Sequence, residues 1–345
     1  MTEPPGPILT DDEIYDITIL GGGPTGLFGA FYAGMRRMKT LIVDALPELG
    51  GQLMALYPEK DVFDVGGFPK ILAKDLAEGC VQQAMQFHPA VSLGEIVQGL
   101  ERDAADDVSE IWRLSTSRAS YRTRTVVISA GIGAFEPRRL KVPGIERFEE
   151  GRGVQYMVRD KMALAGRRAL IVGGGDSAMD WALNLQGIAG SLALIHRRNA
   201  FRAHEETIEQ VRSGGAVEIL TPWELRAVAG DTHLERVTIF QNQTQEERVL
   251  EIDALLINVG FIADLGPIKA WGLEMEKAGI LVNGRMETNL SGIYAAGDVA
   301  THPGKLDLIA TGFGEVAIAV NFAKTHIDPK ARAFPGHSTE EKWRT

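Results

Sequence analysis

The sequence predicts an α/β protein built from two parallel-sheet nucleotide-binding units, one inserted into the other. Three observations carry this. An apolar run at 17–20 leads into the turn Gly21-Gly22-Gly23-Pro24-Thr25-Gly26. A second run at 169–172 leads into Gly173-Gly174-Gly175-Asp176-Ser177-Ala178. The pairs Gly21/Gly173, Gly23/Gly175 and Gly26/Ala178 are each 152 residues apart, so the chain holds an internal repeat of one βαβ unit.

In chain order, 17–20 reads as a buried strand and the glycine turn opens a helix reaching about residue 37. Pro24 suits the first helical turn, where a missing N–H costs nothing. Residues 40–43 read as the next parallel strand, 46–70 as a Gly- and Pro-rich loop, and 73–87 as a helix. Short β segments follow, 125–128 the clearest, and the acidic run 101–110 reads as a solvated hairpin or loop. In the second unit the strand 169–172, the turn and a helix lead to a strand at 192–195. Residues 215–253 carry short β runs with polar turns, and 252–259 is another apolar strand. Gly292-Ile293-Tyr294-Ala295-Ala296-Gly297-Asp298 then runs towards a helix at about 314–323, and the tail past residue 328 reads as irregular.

A length of 345 residues calls for two or three domains, and 24% charged against 45% hydrophobic residues excludes wholesale disorder. The glycines cluster rather than recur every third residue, which excludes a collagen-like chain. One cysteine, Cys80, excludes an internal disulfide, a CxxC redox centre and a cysteine zinc site. A net charge of −10 argues against general nucleic-acid binding. The acidic, Pro-rich start shows no leader, and no apolar run approaches the ~18 residues of a membrane helix. A soluble, cytoplasmic protein is expected.

Each glycine turn follows a strand and opens a helix, the context in which the fingerprint binds a dinucleotide. The glycines let backbone approach a pyrophosphate, and the helix N-terminus supplies N–H donors and partial positive charge. Selectivity sits at the end of the second strand. In the first unit Asp44 stands about 20 residues past the turn, where a carboxylate accepts from ribose hydroxyls and repels a 2′-phosphate. The position 152 residues on is His196, followed by Arg197 and Arg198, a cationic cluster suited to a 2′-phosphate. Unit one should therefore take an unphosphorylated adenosine cofactor and unit two NADP(H), which together suggest FAD, NADPH and a hydride relay. Gly297-Asp298 supports the flavin: a strand-end Asp there can hold a ribityl hydroxyl or the middle of a pyrophosphate-linked chain, or simply cap a helix.

The arrangement GGGPTG, GGGDSA and GIYAAGD resembles the small two-domain flavoprotein reductases of thioredoxin-reductase type over nearly the whole chain. Within them, the block from Gly51 to Lys60 (GQLMALYPEK), Gly67-Phe68-Pro69, the run from Ser129 to Phe135 and Pro335-Gly336-His337-Ser338 resemble the thioredoxin-reductase-like ferredoxin–NADP⁺ reductases. Thioredoxin reductase carries CxxC shortly before its GGGDSA turn; the corresponding 153–159 here has no cysteine, so electrons must leave the flavin directly. Cys80 is expected to be a small buried residue.

The resemblance implies two Rossmann-like, three-layer ββα domains of the two-dinucleotide-binding flavoprotein type, with FAD in 12–130 and 256–345 and an NADPH domain at 131–255 inserted between. Around FAD it implies Gly21, Gly23, Pro24, Thr25, Gly26, Asp44, Gly51, Gln52, Leu53, Tyr57, Gly131, Phe135, Asp298, Thr311 and Ser338. Around NADPH it implies Gly173, Gly175, Asp176, Ser177, Ala178, His196, Arg197 and Arg198. Tyr57 is expected on one flavin face and His337, with Ser338, on the other, contributed by the second subunit of a homodimer. The cofactors carry the chemistry, so neither an acid–base triad nor a metal site is assigned.

Thr311 and Gly312 could aim N–H groups at the flavin or merely cap their helix. Arg202 and His204 could add phosphate contacts or form a solvated helix start. Gly131 to Gly133 and Gly260 are candidate hinges. Candidate docking positives for an acidic ferredoxin are Arg36, Arg37, Lys39, Arg138, Arg139, Lys141, Lys330 and Arg332. The leading reading is an NADPH-dependent flavoenzyme delivering electrons singly to ferredoxin or flavodoxin. The alternatives are an NADPH oxidase or diaphorase using oxygen or quinones, and a non-catalytic NADPH-sensing flavoprotein.

Overall fold

The computed structural model describes residues 13–103, 111–131 and 133–337, with backbone alone for 134–136 and 261–263. Its α-helices are α1 (Pro24–Met35), α2 (Gln52–Ala55), α3 (Ala73–Met85), α4 (Asp176–Asn184), α5 (Glu205–Ser213) and α6 (Ile309–Ile327). The chain forms two compact units. The first takes the described parts of Met1–Met54, Asp61–Ala134 and Ala263–Thr345; the second takes Ala55–Lys60 and Phe135–Ile262. Ala55–Lys60, expected with the first unit, thus groups with the second.

The first unit is centred on a seven-stranded sheet. Ile14–Leu20 pairs in parallel with Thr40–Asp44 on one side and Ser120–Ile128 on the other, in the registers Ile17↔Thr40 and Ile17↔Thr125. Thr40–Asp44 pairs onward with Ala90–Leu93, and Ile293–Ala295 joins the far half of Ser120–Ile128, both in parallel. These strands are buried on both faces, which is why they read as unbroken apolar runs such as Leu41, Ile42 and Val43. Val97–Arg102 and Trp112–Thr116 extend the sheet antiparallel. Helix α1 packs against α3 and α6. Its Gly29 permits the close approach to α6: a Cβ there would lie 2.6 Å from Val316 Cγ2.

The second unit has three layers. Its central sheet is five-stranded and wholly parallel, in the order Val154–Gln155, Ala254–Asn258, Arg168–Gly173, Ser191–Ile195, Val217–Leu220. Helices α4 and α5 cover one face through Met179, Trp181, Leu185 and Val211. An antiparallel sheet of Trp223–Ala229, Arg236–Gln241 and Glu247–Glu251 covers the other through Trp223, Leu225, Val237 and Ile239. The short β runs expected at 215–253 are these strands and the edge of the central sheet.

Helix α6 begins five residues before the expected 314. Its first turns contain Gly312 and Gly314, poor helix formers whose cost is met by tertiary contact: a Cβ on Gly312 would stand 2.4 Å from Thr25 Oγ1. The loop 46–70 also contains α2 and the strand Asp61–Val62, which pairs with Ile71–Leu72 just beyond it in a small hairpin. Of the run 101–110, residues 104–110 lie outside the described residues. Among the described residues no helix is long and apolar enough to cross a membrane.

Candidate functional site: two dinucleotide cradles

In the first unit the strand Ile14–Leu20 ends at Gly21, whose φ of +106° excludes most side chains. The third glycine of the fingerprint, Gly26, is a packing glycine: its Cβ would lie 1.9 Å from the Gly21 carbonyl. Gly23 is the N-cap of α1 and gives no side-chain cap, so the N–H groups of the first turn, at Pro24-Thr25-Gly26, face outward as an anion site in which Pro24 has no donor to lose. Asp44 closes the cradle. Its Oδ2 accepts from Gly22 N at 2.5 Å and its Oδ1 from Leu46 N at 2.7 Å. Burial pushes its carboxyl above the usual range, against the pull of those two N–H donors. Each oxygen keeps lone pairs for a ribose hydroxyl.

The loop after Asp44 returns to the turn. Gly50 N donates to Gly22 O at 2.8 Å, and Gly51, at φ +57°, passes so close that a Cβ would lie 2.7 Å from Gly23 Cα. Gln52 reaches Gly131, where a Cβ would lie 3.1 Å from Gln52 Nε2, while the Leu53 side chain is 1% exposed and belongs to the interior. Thr25, Gly297 and Gly312 converge too: Cβ atoms on the two glycines would stand 2.9 and 2.4 Å from Thr25 Oγ1. Asp298 therefore stands beside the α1 N-terminus and the uncapped start of α6. The Gly312 N–H donates to Leu308 O at 3.0 Å and cannot serve a ligand, so of the two expected donors Thr311 remains. Nothing is described of the Phe135 side chain, and Ser338 lies outside the described residues.

Beneath Asp298 lies a group that the motifs did not indicate. Glu315, 5% exposed on α6, accepts from Gly297 N and binds Lys305 and His302. One signal was present: a carboxylate on the helix face that also carries Gly312, Val316 and Ala319.

In the second unit Gly173 and Ala178 are the packing pair, since a Cβ on Gly173 would meet Ala178 Cβ at 2.8 Å and Asn258 O at 2.4 Å. Gly175, the uncapped N-cap of α4, faces open space, as a phosphate requires. Asp176 turns away from that space, its Oδ1 accepting from His204 N at 2.9 Å, and Arg202 N donates to Gly174 O at 2.8 Å. These bonds fold 197–204 back over the turn. Two buried atoms here lack partners among the described residues, Asn258 Oδ1 and His196 Nε2. An uncapped helix start with Asp44 beside it fits a dinucleotide in the first cradle, and an uncapped helix start, an open glycine and two orphaned polar atoms fit one in the second.

His196 departs from its expected part in a cationic cluster. Its ring stacks on Phe201 at 5.3 Å and fills the space above Gly174, whose Cβ would lie 2.4 Å from it. Burial holds its pKa below the usual value, with the charges of Arg197, Arg198 and Arg202 adding to this and a bond to Ala200 opposing. The lowered pKa favours the uncharged imidazole, whose ring braces the loop, while Arg197, Arg198 and Arg202 are exposed. Asn242 Nδ2 fixes the first of them by donating to Arg197 O at 2.9 Å.

Tyr57 lies in the Ala55–Lys60 segment with Lys60 5.8 Å above its ring; Lys60 in turn pairs with Asp180 at 2.8 Å and reaches Ser177 at 3.4 Å. His337 meets Phe334 edge-on at 5.3 Å. Several expected docking positives are engaged elsewhere. Arg36, 9% exposed, donates to Asn321 Oδ1, Arg332 O and Ala333 O; Lys39 pairs with Glu13; Arg139 pairs with Glu149. Cys80 is free and 6% exposed, and burial pushes its thiol up to about 11.

A model of the pyridine nucleotide-disulphide oxidoreductase family matches residues 15–321. The chain is 51% identical over 329 residues to a ferredoxin–NADP reductase of Halalkalibacterium halodurans, covering 95% of this chain and 98% of that one. It is 51% identical over 330 residues to a ferredoxin–NADP reductase of Thermus thermophilus, covering 94% and 97%. Among solved structures, the thioredoxin reductase of Lactococcus lactis superposes with a TM-score of 0.75 at 25% identity, covering 91% of this chain and 99% of that one. With two glycine cradles and no cysteine pair between them, the chain belongs to the pyridine nucleotide-disulphide oxidoreductases and, within them, to the ferredoxin–NADP reductase family.

Proposed function

We propose that this protein carries electrons from NADPH through FAD, one at a time, to ferredoxin, with flavodoxin as a second acceptor. The observation that carries the reading is the contrast between the cradles: a buried carboxylate ends the first and exposed arginines end the second, with no dithiol to receive electrons between them. FAD, when bound, supplies the exchange between a two-electron hydride donor and a one-electron acceptor. The protein positions. In the first unit the α1 N-terminus takes the pyrophosphate of FAD, Asp44 its adenosine ribose and Asp298 its ribityl chain, with Gly51 and Gln52 along the cradle. In the second unit the α4 N-terminus takes the pyrophosphate of NADPH, and Arg197 and Arg198 its 2′-phosphate. FAD is thus assigned to 12–130 and 256–345 and NADPH to 131–255. Tyr57 and His337 cover the flavin faces and exclude water, His337 from the second subunit of a homodimer.

Anaerobic titration of the yellow protein with NADPH or NADH, followed by oxidised ferredoxin, tests the reading. Preferential bleaching by NADPH and reoxidation by ferredoxin are expected. Equal bleaching by both nucleotides would remove the role of the arginines, and reoxidation by oxygen but not ferredoxin would favour an oxidase. Bleaching with no multiple turnover for any acceptor would favour a sensor.

A further inference from the structure

Lys305 and Glu315 form an ion pair out of reach of bulk water: Lys305 Nζ lies 2.9 and 2.8 Å from the two carboxylate oxygens, with side-chain exposures of 8% and 6%. Such pairs are weak stabilisers, because desolvating two charges cancels most of their attraction, and an apolar pair of the same volume often serves a fold as well. The position of this pair is informative. Glu315 Oε2 also accepts from Gly297 N at 2.8 Å, and His302 Nε2 lies 2.9 Å from Oε1. Gly297 is left-handed, φ +77°, so no regular structure holds the peptide that leads into Asp298. The Asp298 side chain is part-exposed to solvent, though its carboxyl is crowded enough by protein for desolvation to act on it, and it has no hydrogen-bond or ion-pair partner among the described residues. It is an unused acceptor on a backbone that Glu315 holds through Gly297 N, with Lys305 and His302 holding Glu315 in turn.

We propose that Lys305, Glu315 and His302 form a positioning unit for FAD, which fixes the Gly297–Asp298 peptide so that the Asp298 carboxylate meets the ribityl chain. Lys305 has a second effect on that carboxylate. Burial and the charge of Asp307 raise its pKa, Lys305 opposes them, and Glu315 adds to them. Removing the lysine leaves the carboxylate of the buried Glu315 without its ammonium partner and takes away a positive charge that lowers the Asp298 pKa. The loss therefore reaches the ligand through Asp298, and this separates positioning from general stability.

The inference rests on the flavin-binding reading, and the test keeps the two apart. FAD affinity of the apoprotein is measured by quenching of flavin fluorescence, with thermal unfolding of the apoprotein alongside, for wild type, Lys305→Met, Lys305→Arg and Glu315→Gln. Lys305→Met and Glu315→Gln are expected to weaken FAD binding about tenfold, the loss of a charge-supported hydrogen bond. Lys305→Arg should restore most of that affinity. The Lys305→Met effect should shrink to less than about twofold in an Asp298→Ala background, the signature of two coupled sites. If Glu315→Gln does not fold, Lys305→Met and His302→Gln carry the test. Unchanged FAD affinity in folded Lys305→Met, whether or not its unfolding temperature falls, overturns the inference, as does full additivity with Asp298→Ala. A wild-type apoprotein that binds no FAD overturns the flavin reading itself.

Discussion

Removing both Arg197 and Arg198 should convert this enzyme from a preference for NADPH to near indifference between the phosphorylated and unphosphorylated nucleotides. Both side chains are exposed at the end of Ser191–Ile195, and Asn242 fixes the backbone of the first through its carbonyl at 2.9 Å. A hydrogen bond to a charged group contributes about 1.5–3 kcal/mol, and solvent exposure places each arginine at the low end. Two such contacts amount to about 3 kcal/mol, roughly a hundredfold in affinity, since 1.4 kcal/mol is tenfold. His196, packed against Gly174 with its pKa lowered, is left out of this sum. The assay is steady-state reduction of ferredoxin with NADPH and with NADH for wild type and Arg197→Ala/Arg198→Ala. The expected result is a rise of about a hundredfold in KM for NADPH, with kcat and the NADH parameters nearly unchanged, because exposed side chains carry little of the fold. A KM that rises equally for both nucleotides would show that the arginines hold the loop rather than the phosphate. A KM that does not move would place the 2′-phosphate elsewhere.

Two further outcomes follow from the first unit. Glu95 is 7% exposed, and its carboxylate accepts from Ser92 and Thr116 at 2.6 Å each and from Tyr121 at 3.1 Å, while its N–H donates to Asp44 O at 3.0 Å. Burial would raise its pKa, but these donors and Arg118 outweigh it and hold the carboxyl below its ordinary value. A lowered pKa means stability present above the unfolded value and lost as pH falls through the folded one. Glu95→Gln should therefore unfold more easily at pH 7, by about 2 kcal/mol, and show a shallower loss between pH 5 and 3 in urea titrations; an acid limb as steep as wild type would refute this. The buried Cys80 thiol, raised to about 11, should react with a thiol reagent only after unfolding, and Cys80→Ala should keep full ferredoxin turnover; fast labelling of the native protein would contradict its burial.

Local chemistry was legible in the chain. Strands buried on both faces show as apolar runs, a tight turn into a helix shows as clustered glycines, and the carboxylate proposed to meet a ribose stands at a countable distance beyond the turn. Repetition at a constant offset made the two cradles comparable residue by residue, and so exposed the exchange of Asp44 for His196-Arg197-Arg198. These features depend on neighbours within one βαβ unit. What depended on residues far apart was hidden. His196 became a packing residue because Gly174 and Phe201 close over it, and partial burial lowers the pKa of its imidazole. Arg36 looked like a surface cation until α6 and the segment beyond it supplied Asn321 and two carbonyls. Gly312 looked like a helix breaker until Thr25 occupied the space of its missing side chain. The sequence alone determined which groups could bind each nucleotide; the tertiary structure decided which of them remain free to do so, because burial and pairing are set by elements that meet only in the folded chain.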